Sequence, residues 1–130
     1  MATIIIVEDN PDNMKLFRAV LHRAGHRVVE FTSGVGLVEG LAGIEPDLVL
    51  LDIQLPDRDG LAVLADLREH FGAHLVIVAL TAHELQEDRG EIGPSGFDGF
   101  LGKPIQVNEF PRQVAEAMAK GRPGNNPAIL

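Results

Sequence analysis

The sequence predicts a doubly wound α/β fold, in which helices cover both faces of a five-stranded parallel sheet to make a three-layer sandwich. Five short apolar runs alternate with stretches of helical period along the 130 residues. Runs that are apolar at nearly every position are typical of strands buried on both faces. Right-handed crossovers between such strands favour the doubly wound arrangement. The length and the 45% apolar composition predict one domain with a sizeable core.

The strands are predicted where apolar runs lie between turn residues. The first run is Ile4-Ile5-Ile6-Val7, and the third, Leu48-Val49-Leu50-Leu51, follows Pro46. The five predicted strands cover residues 3–7, 27–31, 48–51, 75–80 and 97–101.

The first helix is predicted over 11–24, because Asn10 can cap it, Pro11 suits its first position and Gly25 can end it. The residues expected on its buried side are Met14, Phe17 and Leu21, flanked by Leu16 and Val20. A weak, glycine-rich helix is predicted over 34–42. A third helix is predicted over 60–71, with Leu61, Leu64 and Leu67 directed inward.

The fourth helix is predicted to be weakened, because an interior glycine costs about 1 kcal/mol and an interior proline about 3 kcal/mol. The stretch 84–96 contains Gly90, Gly93, Pro94 and Gly96, so the helix is limited to Glu84–Arg89 and an irregular segment follows.

The last helix is expected to begin near Glu109, with Asn108 as its cap and Pro111 harmless in its first turn. Its apolar residues are Phe110, Val114, Ala117 and Met118. From Gly121 onward no apolar period remains. Residues 1–120 are therefore predicted to form the domain, and residues 121–130 a flexible tail.

Composition excludes several classes of function. The net charge of −8 argues against a nucleic-acid-binding surface, which needs clustered Lys and Arg. The chain has no cysteine, so neither disulfides nor thiolate metal sites are possible. No stretch reaches the ~20 apolar residues of a membrane span, and the amino terminus does not read as a signal peptide. The sequence predicts a soluble cytoplasmic protein.

Acidic residues follow two of the predicted strands. Glu8 and Asp9 come after the first strand and Asp52 after the third, where a parallel sheet places its binding crevice. At ~4 Å and an effective dielectric near 20, two like charges repel by roughly 4 kcal/mol. A hard divalent cation with oxygen ligands, together with a lysine such as Lys103, would balance these charges.

These residues resemble the receiver domain of bacterial two-component response regulators over about residues 3–119. The resemblance rests on four motifs in the family's order and spacing. They are Ile5-Ile6-Val7-Glu8-Asp9-Asn10, the stretch Leu51 to Gly60 around Asp52, Ala79-Leu80-Thr81-Ala82, and Lys103-Pro104. The segment Val7-Glu8-Asp9-Asn10, followed by Asn13-Met14-Lys15-Leu16-Phe17, is more specifically similar to the single-domain regulators of the DivK type.

The resemblance implies a CheY-like fold with strand order 2-1-3-4-5, and a role for each motif. Asp52 would be the phosphoacceptor that attacks a phosphohistidine of a histidine kinase or phosphotransfer protein. Mg²⁺, with Mn²⁺ or Ca²⁺ as substitutes, would be bound by Asp9, Asp52 and the backbone carbonyl of Gln54, with Glu8 nearby through a water. The groups that contact the phosphoryl oxygens would be Lys103, the Thr81 hydroxyl and the backbone N–H of Ala82.

The resemblance also implies a switch and a kind of output. Thr81 would move toward the phosphoryl group, and Phe100, on the fifth strand, would turn inward. A simpler interpretation of Phe100 is a core residue. The output would be protein–protein interaction by a monomer or a weak phosphorylation-dependent dimer. The weakened fourth helix argues against the family's usual dimer.

We therefore expect a stand-alone signalling receiver rather than a conventional enzyme, with a downstream target that the sequence does not identify. One alternative is the receiver piece of a larger regulator or hybrid kinase. Another is a pseudo-receiver that binds a partner without being phosphorylated. An Asp-nucleophile phosphatase is disfavoured, because Gln54 stands where such enzymes need a second acid.

Overall fold

The fold is a five-stranded parallel sheet in the order β2-β1-β3-β4-β5, as predicted. The computed structural model describes residues 2–53, 60–72, 75–82 and 97–120. The strands are β1 (Thr3–Val7), β2 (Arg27–Phe31), β3 (Leu48–Asp52), β4 (Val76–Ala82) and β5 (Gly99–Lys103). The described helices are α1 (Pro11–Arg23), α2 (Leu37–Gly40), α3 (Gly60–Phe71) and α4 (Phe110–Lys120).

The predictions for the helix at 84–96, for Gln54 and for the tail 121–130 fall outside the described residues. Among those that are described, no helix has both the length and the apolar character that a membrane crossing requires.

Helix α1 begins at Pro11, as predicted, and ends at Arg23, one residue before the predicted end. The Asn10 side chain accepts hydrogen bonds from the backbone N–H groups of Asp12 and Asn13, at 2.9 and 3.1 Å. Two N–H groups that lack a partner within the helix are satisfied in this way. At the other end, Gly25 has a φ of +92°, a left-handed conformation that glycine adopts without a steric penalty.

The core forms two layers, one on each face of the sheet. Alternate residues of each strand point to opposite faces, so Ile4 and Ile6 pack on one side and Ile5 and Val7 on the other. The first layer also contains buried residues of α1 and α4, including Phe17 and Phe110, whose rings stack at 5.5 Å. The second layer is completed by α2 and α3.

The structure corrects the predicted bounds of α2, β4 and β5 and the predicted cap of α4, and each difference has a local cause. Helix α2 is only one turn long and does not reach back to residue 34, because Gly36 is in a left-handed conformation, with a φ of +72°, that a right-handed helix cannot include. Strand β4 continues to Ala82 and β5 to Lys103, because backbone pairing extends past the apolar residues that predicted them. Helix α4 begins at Phe110, after a turn that includes Asn108, so Asn108 is not in the cap position.

One predicted core residue is also wrong. Leu61 of α3 is 41% exposed, whereas Val63, which was not predicted, is 1% exposed and packs with Leu64 and Leu67. The inward residues predicted for α1 and for α4 are buried or partly buried against the core.

Candidate functional site

The register of the sheet brings distant residues to one edge. Val7 of β1 pairs with Leu51 of β3, so Glu8 and Asp52, the next residue of each segment, are neighbours at the carboxyl end. Asp52 pairs in turn with Leu80 of β4. Residues from β1, β3 and β4, the three interior strands, therefore meet where a doubly wound sheet forms its crevice.

Three carboxyl groups meet at this edge. One oxygen from each of Glu8, Asp9 and Asp52 lies within 4.8 Å of the others. Glu8 is 0% exposed and Asp52 is 1% exposed, whereas Asp9 is exposed to solvent. Two buried acids at such a separation destabilise each other unless a cation or a proton intervenes.

Lys103, at the end of β5, supplies one positive charge. Its Nζ donates to Asp52 Oδ2 at 2.9 Å and to Glu8 Oε1 at 3.3 Å. Burial by itself lowers the pKa of Lys103, but the hydrogen bonds and charges of Asp52 and Glu8 outweigh burial and raise that pKa. Lys103 is therefore held as a cation against both buried carboxyl groups.

One lysine does not fully balance the acids, and the excess falls on Glu8. Burial, and then the charge of Asp52 and a hydrogen bond with it, raise the pKa of Glu8 from an ordinary 4.5 to about 7. The backbone N–H of Asn10, which donates to Glu8 Oε2 at 3.2 Å, and the charge of Lys103 work in the other direction.

One further contact of Glu8 could not be predicted from the sequence. The Asn13 side-chain amide approaches Glu8 Oε1 at 3.5 Å. Asn13 lies on α1, one turn after the cap, so it faces the site because the helix begins there. Side-chain amides at such positions are common on helix surfaces, and only the fold shows which acid this one contacts.

The donor set fits a hard divalent cation. Mg²⁺ is bound through oxygen, usually by one or two carboxylates while it keeps several waters. Two buried carboxyl groups and one exposed carboxyl group, close together, can supply such ligands and leave one side open to solvent. After burial, the charge of Asp52 is the next cause of the raised pKa of Glu8, and a bound cation would offset that charge.

The other predicted site residues that the structure describes lie on β4 and β5. Thr81 is 1% exposed and pairs with Gly102, and the backbone of Ala82 pairs with Lys103. Phe100 lies on β5, partly buried against the second core layer, with its ring centroid 5.9 Å from that of Phe97.

Gly60, the first residue of α3, packs closely against the residue that follows Asp52. A Cβ at Gly60 would lie 2.6 Å from the Ile53 Cα and 3.1 Å from the Ile53 carbonyl oxygen. Ile53 also donates its N–H to the Leu80 carbonyl at 3.2 Å. The absence of a side chain at position 60 thus lets the backbone beside Asp52 keep its place.

Comparisons with known proteins agree with this site. The family model of the response regulator receiver domain matches residues 4–115. The polar-differentiation response regulator DivK of Brucella ovis is 36% identical over 109 residues, which are 83% of this chain and 89% of that protein. DivK of Brucella anthropi is 35% identical over the same length.

Solved structures show the same architecture. The receiver domain of a sensor histidine kinase from Pseudomonas aeruginosa, with a magnesium ion coordinated in its active site cleft, is 32% identical with a TM-score of 0.79. The match covers 90% of this chain and 97% of that one. A sensor protein from Polaromonas is 26% identical, with a TM-score of 0.81 over 92% of this chain and 97% of that one. With these likenesses and the acidic crevice together, the chain belongs to the response regulator receiver domain family and is similar to DivK.

Proposed function

We propose that this receiver accepts a phosphoryl group on Asp52 from a phosphohistidine of a histidine kinase or a phosphotransfer protein. The observation that carries the proposal is the meeting of Asp52 with Lys103 and two further acids at one edge of the sheet. The nucleophile must be a carboxylate oxygen, and the Lys103 ammonium group lies 2.9 Å from Asp52 Oδ2, where it can neutralise charge during the transfer.

In the transfer, an Asp52 carboxylate oxygen forms a bond to phosphorus while the bond from phosphorus to the donor's imidazole nitrogen breaks. The electron pair of the broken bond stays on the imidazole, which leaves with the donor protein. Because phosphoryl transfer depends mainly on positioning and on neutralising charge, the residues around Asp52 carry most of the catalytic effect. Lys103 faces the phosphoryl oxygens from β5, and the Thr81 hydroxyl and the Ala82 N–H donate to them from β4.

Mg²⁺, which would neutralise charge on the phosphoryl oxygens, is the proposed cofactor, with Mn²⁺ or Ca²⁺ as substitutes. Asp9, Asp52 and Glu8 are the described residues that would hold it. The magnesium ion in the cleft of the Pseudomonas receiver supports this assignment. A ligand from the carbonyl of Gln54 stays a prediction, since Gln54 lies outside the described residues.

The proposed output is a change of surface that a partner protein reads. Thr81 and Phe100 are the proposed switch residues. Thr81 lies on β4 and Phe100 on β5, and both strands end at the site. To move a two-state switch from 1:99 to 99:1, phosphorylation must supply about 5.5 kcal/mol of differential stabilisation. Two or three charge-assisted hydrogen bonds, from Thr81, Ala82 and Lys103, are of that order.

Two arrangements of the whole protein fit these roles. The similarity to DivK, nearly all of which the match covers, supports a stand-alone regulator. The similarity to receivers of sensor kinases supports a receiver within a larger protein. A pseudo-receiver is disfavoured, because Asp9, Asp52 and Lys103 lie together.

Phosphorylation can be tested with a small acyl phosphate, such as acetyl phosphate, followed by mass spectrometry of the intact protein. We expect the wild type to gain the mass of one phosphoryl group in Mg²⁺ and to gain nothing in excess chelator. Asp52→Asn should abolish labelling while the circular dichroism spectrum stays that of the wild type. Labelling of Asp52→Asn at the wild-type extent would contradict the assignment of the phosphoacceptor.

A further inference from the structure

A charged pair lies at the end of the sheet opposite the acidic site. Arg68 is in the last turn of α3, and Asp98 directly precedes β5. The Arg68 Nη2 atom lies 2.8 Å from Asp98 Oδ2, and the two side chains are only 18% and 14% exposed. This pair is therefore more buried than the surface ion pairs that contribute little to structure.

The pair belongs to a network that joins three segments. Arg68 Nη1 donates to the carbonyl of Leu75, just before β4, and to the carbonyl of Gly72 at 3.4 Å. Asp98 is joined to Ile77 of β4 by two hydrogen bonds of 2.8 Å. The Ile77 N–H donates to Asp98 Oδ2, and the Asp98 N–H donates to the Ile77 carbonyl. These two hydrogen bonds lie immediately before the first β4–β5 pair, Val78 with Gly99.

Apart from the hydrogen bonds of Lys103 to Asp52 and Glu8, strand β5 has few contacts that would fix its register. Its sequence is Gly-Phe-Leu-Gly-Lys, all five residues are only partly buried, and it lies at the edge of the sheet with one neighbour. Register is weakly specified in glycine-rich strands without a buried face. A slip of one residue would turn Phe100 and Lys103 to the opposite faces of the sheet.

We propose that the Arg68–Asp98 pair is a positioning device that fixes β5 against β4, and so places Lys103 beside Asp52 and Phe100 against the core. The distance along the strand is short, since Asp98 and Lys103 are five residues apart, or about 17 Å. The consequence for phosphorylation rests on the proposed function of Lys103. The consequence for strand register does not.

A matched control is built into the chain. Nη1 of Arg18 on α1 donates to both carboxylate oxygens of Glu30 on β2, each at 2.8 Å, so this more exposed pair also joins a helix to an edge strand. That strand is at the other edge of the sheet, and neither residue is part of the acidic site. If either ion pair only stabilises the fold, its disruption should change the labelling rate no more than the change in the urea midpoint explains.

The experiment compares Asp98→Ala, the milder Asp98→Asn, Arg68→Gln and the double variant Arg68→Gln/Asp98→Ala with Glu30→Gln. Three quantities are measured for each: the rate of labelling by acetyl phosphate in Mg²⁺, the midpoint of urea unfolding, and the amide spectrum of β5 by NMR. Asp98→Asn keeps an oxygen for the Ile77 N–H but loses the charge, so it serves if Asp98→Ala does not fold.

We expect Asp98→Ala and Arg68→Gln to slow labelling about tenfold or more, as small displacements of catalytic groups do. The Lys103 and Phe100 amides should shift, and the double variant should be no slower than the slower single variant. Glu30→Gln should change the rate less than about twofold, as expected of a partly exposed residue whose side chain is not part of the acidic site. The labelling rate of Asp98→Asn should lie between those of Asp98→Ala and Glu30→Gln.

The proposal is overturned if the pair's variants label at the wild-type rate with unshifted Lys103 and Phe100 amides. It is equally overturned if Glu30→Gln slows labelling as much at a similar urea midpoint. If the wild type itself is not labelled, the proposed function fails, and the β5 amide shifts alone decide whether the pair fixes the register.

Discussion

Glu8 is an acidic side chain with no exposed surface, one residue before an acidic side chain that faces solvent. The sequence predicted both as site residues but could not rank them, because neighbouring residues at the end of a strand diverge and only the fold decides which one is buried. Burial is the largest cause of the raised pKa of Glu8, about 7, and this pKa can be tested through the pH dependence of stability.

The pH dependence of stability should follow from Glu8. Its pKa is raised in the folded protein, so between about 4.5 and about 7 the folded state binds more protons than the unfolded chain. The free energy of unfolding in metal-free buffer should therefore fall as pH rises through that window. Urea titrations at pH 5 and pH 8 measure the difference, and Glu8→Gln should reduce it. An equal pH dependence in wild type and Glu8→Gln would contradict this origin.

The lack of a side chain at Gly60 leaves room for the backbone next to Asp52. Gly60→Ala would press a methyl group against the backbone of Ile53 at 2.6 Å, which must then move together with the adjoining Asp52. Overpacking of this kind costs about 1–3 kcal/mol, more than the roughly 1 kcal/mol that alanine gains over glycine in a helix. We expect lower stability and weaker Mg²⁺ binding by calorimetry.

The control for this prediction is Gly99→Ala, whose Cβ would meet only Val78 Cγ2 at 3.9 Å. Mg²⁺ affinity in that variant should match the wild type. Unchanged affinity in Gly60→Ala would show that the backbone beside Asp52 accommodates the methyl group without moving the site.

At the scale of elements, α3 shows where periodicity is sufficient and where it is not. Its bounds, 60–71, were predicted correctly from the turn before it and its apolar spacing. The position of its buried face was predicted wrongly, because Leu61 and Val63 both have the helical spacing that would place them on one face with Leu64 and Leu67. The way α3 sits on the sheet, which no local pattern encodes, selects Val63.

The two residues of α3 give a direct comparison. Val63→Ala removes methyl groups from a side chain that is 1% exposed and should cost about 2 kcal/mol. Leu61→Ala, at a residue 41% exposed, should change stability by no more than about 0.5 kcal/mol. Chemical denaturation followed by circular dichroism gives both values. A larger loss for Leu61→Ala would place the buried face of α3 where the sequence first suggested.

Strands β4 and β5 show why the ends of elements were harder to predict than their existence. Apolar residues stop at Leu80 and Leu101, yet backbone pairing continues to Ala82 and Lys103. The extension carries polar residues into the site, where Lys103 is held by buried carboxyl groups rather than by apolar contacts. Polar residues at the site, such as Lys103, interrupt the apolar pattern from which strands are predicted, so the predicted strands end too early.

At the scale of the whole molecule, the sheet order explains how residues 8, 52 and 103 meet. The strand order and the resemblance were enough to predict that meeting, because parallel strands all end at one edge. The Arg68–Asp98 pair at the opposite end could not be predicted, since an Arg and an Asp thirty residues apart carry no motif.

The molecule also contains a second acidic surface that serves as an internal comparison. A groove of about 460 Å³ between α2 and α3 is lined by Glu39, Asp66, Glu69 and His70. Its carboxyl groups do not form a compact cluster among the described residues, whereas those of Glu8, Asp9 and Asp52 do. Charge alone would attract a divalent cation to both surfaces, but coordination requires the compact one.

The most direct test of the central claim is an NMR titration with Mn²⁺, whose unpaired electrons broaden the amide signals nearest to the bound ion. The proposed site predicts that broadening at low Mn²⁺ is centred on Glu8, Asp9, Asp52 and Lys103, and that Mg²⁺ reverses it. Broadening centred on Glu39, Asp66 and Glu69, or spread evenly over the acidic surface, would contradict a single cation site at the carboxyl edge of the sheet.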